Sequence, residues 1–354
     1  MNRYKIILIL STLFLIQCVQ KNNREIASVI HPRFEACSNE KSQYLEKQLS
    51  ALPFEYLNKN ESSWNQTIPL ACIQFAQKNF RGSFAYCKNE FEKPLMNAPR
   101  PCLSENYTRL VYNAYHDVTN CFNLDPKNSF LQIMIESGFH INAINQTGFD
   151  AGIGQFTGNG IKRVMEKSII NKTSQLLLES SNPSCERIAG VFKNLQKDAF
   201  KLEQRCSMIA LPENPYRSLL LHYLHGLRDQ LSLKKLLLER PAIAKVLNQE
   251  ILEQLVFMAY NRGIQGTLKL IDGYVENRRK LNAEITSENL NLWKNLSQAR
   301  KILKNDPEKR RVLKNSKIKK LSLAEYAMIH DQNYLGAMAE AGELVQARVG
   351  DQCF

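Results

Sequence analysis

Glycine is scarce in this chain, 15 of 354 residues, and tryptophan is nearly absent, at two. That scarcity excludes collagen-like and Gly-rich low-complexity chains. The sequence also lacks a Cys-x-x-Cys pair, a Gly-rich phosphate loop, a zinc spacing and a dinucleotide fingerprint. No metal and no cofactor is therefore expected. There is no internal repeat of fixed period and no low-complexity linker, which leaves a globular chain of one large domain or two modest ones. With 44% hydrophobic residues the chain can bury a core. Stretches rich in Leu, Ile, Lys, Glu, Asn and Gln outnumber β-branched and aromatic runs, so a mainly α fold is expected.

Residues 1–18 read as an export signal, because Arg3 and Lys5 precede an apolar run over residues 6–16 that is too short to span a bilayer comfortably. The run ends in Leu15-Ile16-Gln17-Cys18, which resembles the lipobox of bacterial lipoproteins. Cys18 is thus a candidate for lipidation and membrane anchoring. Gln17 stands where a small residue is usual, so ordinary secretion is the alternative, with an uncleaved anchor as a third reading. Apart from Cys18, the cysteines are Cys37, Cys72, Cys87, Cys102, Cys121, Cys185, Cys206 and Cys353, an even set at wide spacings. A disulfide framework in an oxidising compartment accounts for them, against the alternative of buried free thiols. Cys185 and Cys206, apart from the rest, are candidates to close a local loop. The formal net charge is +13, of which Arg3 and Lys5 supply two. An exported protein this basic suits an anionic polymer: peptidoglycan with its peptide carboxylates, lipopolysaccharide and nucleic acid all qualify on charge.

Residues 19–120 hold four of those eight cysteines, two Pro-containing breaks (Leu52-Pro53 and Pro99-Arg100-Pro101) and short apolar clusters. They read as a disulfide-braced, mostly helical N-terminal region without legible chemistry. From about residue 121 longer helical segments are expected, over 130–137, 188–209, 216–238, 251–261 and 321–347. The boundary between the two regions is therefore drawn near 120. Residues 301–320 carry nine Lys or Arg against Asp306 and Glu308, which reads as a solvated surface or, alternatively, an electrostatic contact to a glycan strand.

The chemistry concentrates in Ile133-Met134-Ile135-Glu136-Ser137-Gly138-Phe139 and in the segment 143–156, which ends Gly152-Ile153-Gly154-Gln155-Phe156. A carboxylate closes an apolar helical run, and a Gly-rich loop returns toward it. Burial against an apolar wall raises such an acid's pKa, and no Lys or Arg occurs between Lys127 and Lys162 to oppose the shift. His140 has no second His or Cys at ligand spacing, so a surface or turn histidine is expected there. His222-x-x-His225 reads as an ordinary helix face.

These segments resemble the catalytic core of soluble-type lytic transglycosylases, of the lysozyme superfamily, which share Glu-Ser-x-Phe, a turn, then Gly-Leu-Met-Gln. A third family element, Ala-Tyr-Asn-x-Gly, is matched by Ala259-Tyr260-Asn261-Arg262-Gly263. The resemblance covers roughly residues 125–345. It departs from the family at Gly154, where Met is usual, at Arg262, where a small residue is usual, and by one extra residue between Glu136 and Gln155. About 104 residues separate Gln155 from Tyr260, so an inserted helical lobe around 162–250 is expected within a domain of residues 121–354.

The resemblance implies a lysozyme-like, all-α fold with a glycan groove, acting on peptidoglycan strands and not on nucleic acid. It also implies a single acid, Glu136, that protonates the bond between N-acetylmuramic acid and N-acetylglucosamine. The same group then deprotonates the muramic 6-hydroxyl to leave a 1,6-anhydro end. Ser137 would orient the carboxyl, Gln155 would touch the sugar, and Tyr260 and Asn261 would line the cleavage subsite. A further family tyrosine is matched best by Tyr334, with Tyr274 as rival. Ser137 as a helix cap and either tyrosine as core are the plain alternatives. Asp150 is a candidate second carboxylate for a water-using muramidase, or else a turn-stabilising residue. A catalytically silent peptidoglycan-binding protein is the remaining alternative. A monomer is expected, located in the periplasm, on the outer membrane as a lipoprotein, or secreted.

Overall fold

A computed structural model describes residues 34, 64–299, 321–350 and 353, apart from 66, 90, 149, 199–203, 297–298 and 331–332. The export signal, Cys18, Cys37 and the basic stretch 301–320 lie outside the described residues. The described chain is mainly α-helical. Helix α1 (Leu70–Asn79) leads into strands β1 (Ser83–Tyr86) and β2 (Leu95–Met96), followed by α2 (Glu105–Cys121), α3 (Pro126–Glu136) and β3 (Ala143–Ile144). Next come α4 (Gly158–Val164), α5 (Lys167–Glu179), α6 (Pro183–Leu195), α7 (Cys206–Ile209), α8 (Tyr216–Leu238) and α9 (Pro241–Ala244). The series ends with α10 (Gln249–Lys280), α11 (Ser287–Leu290), α12 (Leu323–Ile329) and α13 (Asn333–Val349). The strands form one small antiparallel sheet in the order β2-β1-β3.

Polar side chains set the helix starts. Ser104, Asp125, Thr157, Asn182 and Asn248 each accept a hydrogen bond from a first-turn backbone N–H, and Pro126 and Pro183 open α3 and α6. Those bonds satisfy donors that a helix N-terminus leaves open, and proline has no such N–H to satisfy. Once started, the helices bury their apolar residues in two clusters. The first gathers Ile73, Leu110, Phe130, Phe139, Ile188, Leu219 and Val345; the second gathers Leu237, Leu255, Ile271, Tyr274, Leu323 and Leu335. Helices α8, α10 and α13 each contribute to both, so the clusters meet along a seam.

The boundary drawn near residue 120 runs through the first core, because α2 is buried along most of its length and packs with α1 on one side and α6 and α8 on the other. Residues 162–250, expected as an inserted helical lobe, include α8, which packs against α2, α4, α6 and α10. The helix expected over 188–209 ends at Leu195 and resumes as α7, and the one expected over 321–347 is divided into α12 and α13, with His330 closing α12. Cys185 and Cys206 do not close a local loop. The bridges are Cys72–Cys353, Cys87–Cys206 and Cys121–Cys185, spanning 281, 119 and 64 residues. Cys102 is disulfide-bonded as well.

The first two of these bridges tie the N-terminal segment to distant parts of the chain rather than bracing it internally. Closing such long loops removes unfolded-state freedom, and bridges of this kind belong to oxidising, extracytoplasmic compartments. No described helix is long and apolar enough to cross a membrane.

Candidate active site

Glu136 is the last residue of α3, and the way α3 stops is what exposes it. Ser137 caps the helix, and the Ser137 and Gly138 amides both donate to Ile133 O, at 3.0 and 3.1 Å. Gly138 and Phe139 then take φ of 55° and 64°. Glycine is required at the first of these, since a Cβ on Gly138 would lie 2.3 Å from Phe80 Cβ and 2.9 Å from Ala76 O. The C-terminal end of α1 thus presses directly beneath the turn that presents Glu136. The N-terminal segment, chemically mute in sequence, is the floor of the site.

Around the carboxyl the structure brings together residues from four distant stretches. Tyr334, near the start of α13, donates its hydroxyl to Glu136 Oε1 at 2.8 Å and is itself hydrogen-bonded to Gln132, one turn before Glu136 on α3. The Cys72–Cys353 bridge fastens the chain just beyond α13 to α1. Burial pushes the Glu136 pKa up to about 7, the Tyr334 hydrogen bond pulls it part of the way back, and the Asp150 charge adds a small upward push. Part of the Glu136 side chain remains accessible, as an acid that meets a ligand must be. Tyr274, the rival tyrosine, is buried in the second core and donates to Asn289 Oδ1 at 3.0 Å.

The loop after β3 supplies a second wall. Gln155 sits at φ 50°, and its amide nitrogen donates to Ala143 O at 3.1 Å and Gly152 O at 2.8 Å, so its donors brace the loop. The Gly154 carbonyl accepts a hydrogen bond from the Tyr260 hydroxyl, which joins the loop to α10. A Cβ on Gly154 would lie 2.3 Å from the Phe156 ring, so Phe156 fills the space in which a larger residue at 154 would sit. Asp150 is half-buried; its carboxylate accepts from Asn145 Nδ2 at 3.1 Å and its backbone carbonyl from the Asn145 amide at 2.9 Å. Burial raises its pKa against the pull of Asn145 and Arg205. Ser137 does not reach out to the acid. It is fully buried, donating to Ile133 O at 3.4 Å and accepting from the Phe139 amide at 3.2 Å. Asn261 is exposed beside the kink that Gly263 makes in α10 at φ 72°.

The histidines depart from expectation. His140 is wholly buried among Phe80, Phe84 and Tyr107, with Nε2 2.9 Å from Gln77 O, and burial lowers its pKa to about 4. It is a core histidine and not a surface one. His222 and His225 both pack against the Tyr260 ring, at centroid distances of 5.2 and 4.7 Å, and His222 Nδ1 lies 3.3 Å from the Tyr260 hydroxyl. Burial lowers their pKa values to about 3 and about 4. No group of three His, Cys, Asp or Glu that could hold a metal occurs among the described residues.

A groove opens between α3, α8 and α10, and both Gln132 and Tyr260 line it. It therefore adjoins the Glu136 cluster. Gln132 and His222 are the two site residues that sequence reasoning passed over. Gln132 lies four residues before Glu136 and so on the same helix face, a signal that was available. Compared with protein-family models, with curated proteins and with solved structures, the chain gives no significant match.

Proposed function

We propose that the protein is a peptidoglycan-cleaving lytic transglycosylase with a lysozyme-like arrangement of its helices, exported from a bacterial cell. The observation that carries this reading is Glu136: a carboxyl held near neutral pKa by burial, hydrogen-bonded by Tyr334, and set at the seam of two cores beside a groove. A general acid works best with a pKa near the operating pH, because it must hold its proton and still give it up. Tyr334 occupies Oε1, which leaves Oε2 to carry the proton toward the glycosidic oxygen. Having given that proton, the same carboxylate accepts one from the muramic 6-hydroxyl. That hydroxyl belongs to the sugar already bound, so it attacks the anomeric carbon with an entropic advantage over water.

Further support comes from the convergence of the three motif segments. Glu136, the Gly154 loop and Tyr260 come from separate elements and lie around one carboxyl. The proposed partners are glycan strands, with no nucleic acid, no metal and no cofactor. The net charge of +13 suits an anionic wall polymer. The proposed state is a monomer, in the periplasm, on the outer membrane or secreted.

One observation favours the water-using alternative: Asp150 lies close enough to push the Glu136 pKa upward. Its pinning by Asn145 favours the turn role instead. Digestion of purified sacculi followed by mass analysis separates the readings. Anhydro-muropeptides, one water lighter than hydrolysis products, support the transglycosylase; hydrated reducing ends support the muramidase; no release by folded protein refutes both.

A further inference from the structure

Helix α10 breaks three residues after Tyr260. Gly263 takes φ 72° and ψ 162°, so the ladder of backbone hydrogen bonds that would hold the end of the first half of α10 is interrupted there. Yet the Tyr260 side chain is what links α10 to the loop after β3, through its hydroxyl on the Gly154 carbonyl. Neighbouring side chains must therefore fix the ring. His222, His225 and Phe156 surround it, and of these His225 is nearest, edge-on at 4.7 Å between centroids and 61° between planes.

His225 is itself held by a group that no step of the proposed reaction uses. Asp229, one turn further along α8, has a side chain only 1% exposed. Arg228 Nη1 occupies its Oδ1 at 2.7 Å, and its Oδ2 faces His225 Nδ1 at 3.4 Å. That nitrogen is buried and makes no hydrogen bond elsewhere. Burial lowers the His225 pKa to about 4, with Arg228 and Arg163 adding to the fall, and raises that of Asp229 to about 6 against the pull of the same two arginines. At neutral pH the pair is thus a neutral imidazole beside a carboxylate. Because a carboxylate only accepts, the imidazole proton sits on Nδ1, and a half-turn of the ring would set a carbon against the buried charge instead. One ring orientation is selected.

We propose that His225 is a positioning residue: Asp229 locks its ring, and the locked ring holds Tyr260 so that the loop of residues 152–156 stays joined to α10 as a wall of the site. Neither His225 nor Asp229 acts on the substrate directly. The inference rests on the glycan-cleaving reading for its bearing on turnover, but its first tests do not use turnover.

Nitrogen-15 spectra of the wild-type exported chain should show the His225 proton on Nδ1 near neutral pH, a measurement that needs no variant. Hydrogen exchange, followed residue by residue, then reads the loop, where the Gln155 amide donates to Gly152 O and the Phe156 amide to Ala151 O. Asp229→Leu removes the acceptor and the buried charge together, and should speed exchange of those two amides about tenfold, the order of one charge-assisted hydrogen bond, while amides inside α2 change far less. Asp229→Asn keeps an acceptor for Nδ1–H and should hold loop exchange near the wild-type rate. His225→Phe keeps a ring and loses the Nδ1 proton, so it should behave as Asp229→Leu does. On sacculi, Asp229→Leu should lower kcat about tenfold with KM changed less than about twofold, because a loosened wall misplaces the bound glycan rather than preventing its binding.

A proton on Nε2, a loop as protected in Asp229→Leu or His225→Phe as in wild type, a loop as loose in Asp229→Asn as in Asp229→Leu, or exchange that speeds equally throughout the fold would each overturn the proposal. A raised KM with kcat unchanged would do the same. Failure of the catalytic reading looks different: the tautomer and the loop respond as described, in a protein that releases nothing from sacculi.

Discussion

Glu136→Gln separates the acid's thermodynamic cost from its chemical use. The folded protein holds the Glu136 proton up to about pH 7, whereas an exposed carboxyl loses it near 4.5. The unfolded chain therefore releases its proton first as pH rises. Unfolding grows more favourable between those two values and the trend levels off above the upper one. A shift of that size is worth about 3 kcal/mol at most. Below about pH 4.5 the carboxyl is protonated in both states and contributes no slope. Glutamine keeps the shape and an oxygen for the Tyr334 hydroxyl to donate to, but it does not ionise. The stability of Glu136→Gln relative to wild type should therefore rise by about 3 kcal/mol between pH 4 and pH 8, a difference in which every other titrating group cancels. Urea unfolding with disulfides intact, followed by circular dichroism at several pH values, measures it. On the proposed mechanism the same variant should lose glycan release by more than the roughly 10²–10⁴-fold typical of one proton-transfer role, because one group would serve two steps. Parallel stability curves for the two proteins would refute the raised pKa, and near-wild-type release by folded variant would refute the assignment of the acid.

Tyr334→Phe removes a hydrogen bond that favours the charged carboxylate, so the Glu136 pKa should climb above about 7 and the alkaline limb of kcat/KM should move to higher pH. A pH profile displaced downward or unmoved would contradict the contact. Asp150→Asn removes a charge that raises the Glu136 pKa, so that limb should move modestly to lower pH while anhydro products persist; near-complete loss of activity in folded protein would instead make Asp150 the base of a hydrolase. Gly138→Ala places a methyl against Phe80 and Ala76 at a left-handed φ, and should cost on the order of 2 kcal/mol or more in urea unfolding. A neutral substitution there would mean that α1 does not press on the turn that presents Glu136.

What was legible in sequence was what short-range rules encode. The helix over 216–238 follows from unbroken apolar periodicity and coincides with α8, and the end of α3 at Glu136 follows from the Gly138 that comes two residues later. Where the reading failed, long-range contacts decide. A run such as 188–209 looks helical throughout, yet it breaks after Leu195, and α7 sits where Cys206 is joined to Cys87, 119 residues away. Nothing in the local pattern of either cysteine specifies that partner, since bridge connectivity is a property of the folded core. The boundary near 120 was drawn from cysteine density and helix length, and packing is a separate signal: α2 ends at that boundary and packs against α6 and α8 beyond it.

Burial also separates the residues whose environment could be foreseen from those whose environment could not. Glu136 ends an apolar run, and that sequence neighbourhood already argues for a desolvated acid, because the residues that desolvate it include its own helix. His140, two residues from an equally apolar stretch, read as a turn histidine, but the groups that bury it are Phe80, Phe84 and Tyr107, all from the segment before residue 120. His222 is the sharper case. On α8 alone it is one polar position among leucines, and it acquires meaning only when α10 brings Tyr260 to within 3.3 Å of Nδ1 beside a groove that His222 lines. An imidazole with one nitrogen committed and a groove beside it belongs to the site, whereas one with both nitrogens committed is structural. His140, whose Nε2 meets Gln77 O and whose Nδ1 lies 3.4 Å from the Tyr107 hydroxyl, is of the second kind. Two histidines of similar burial thus take different roles through hydrogen-bond saturation, a property that only the assembled fold determines.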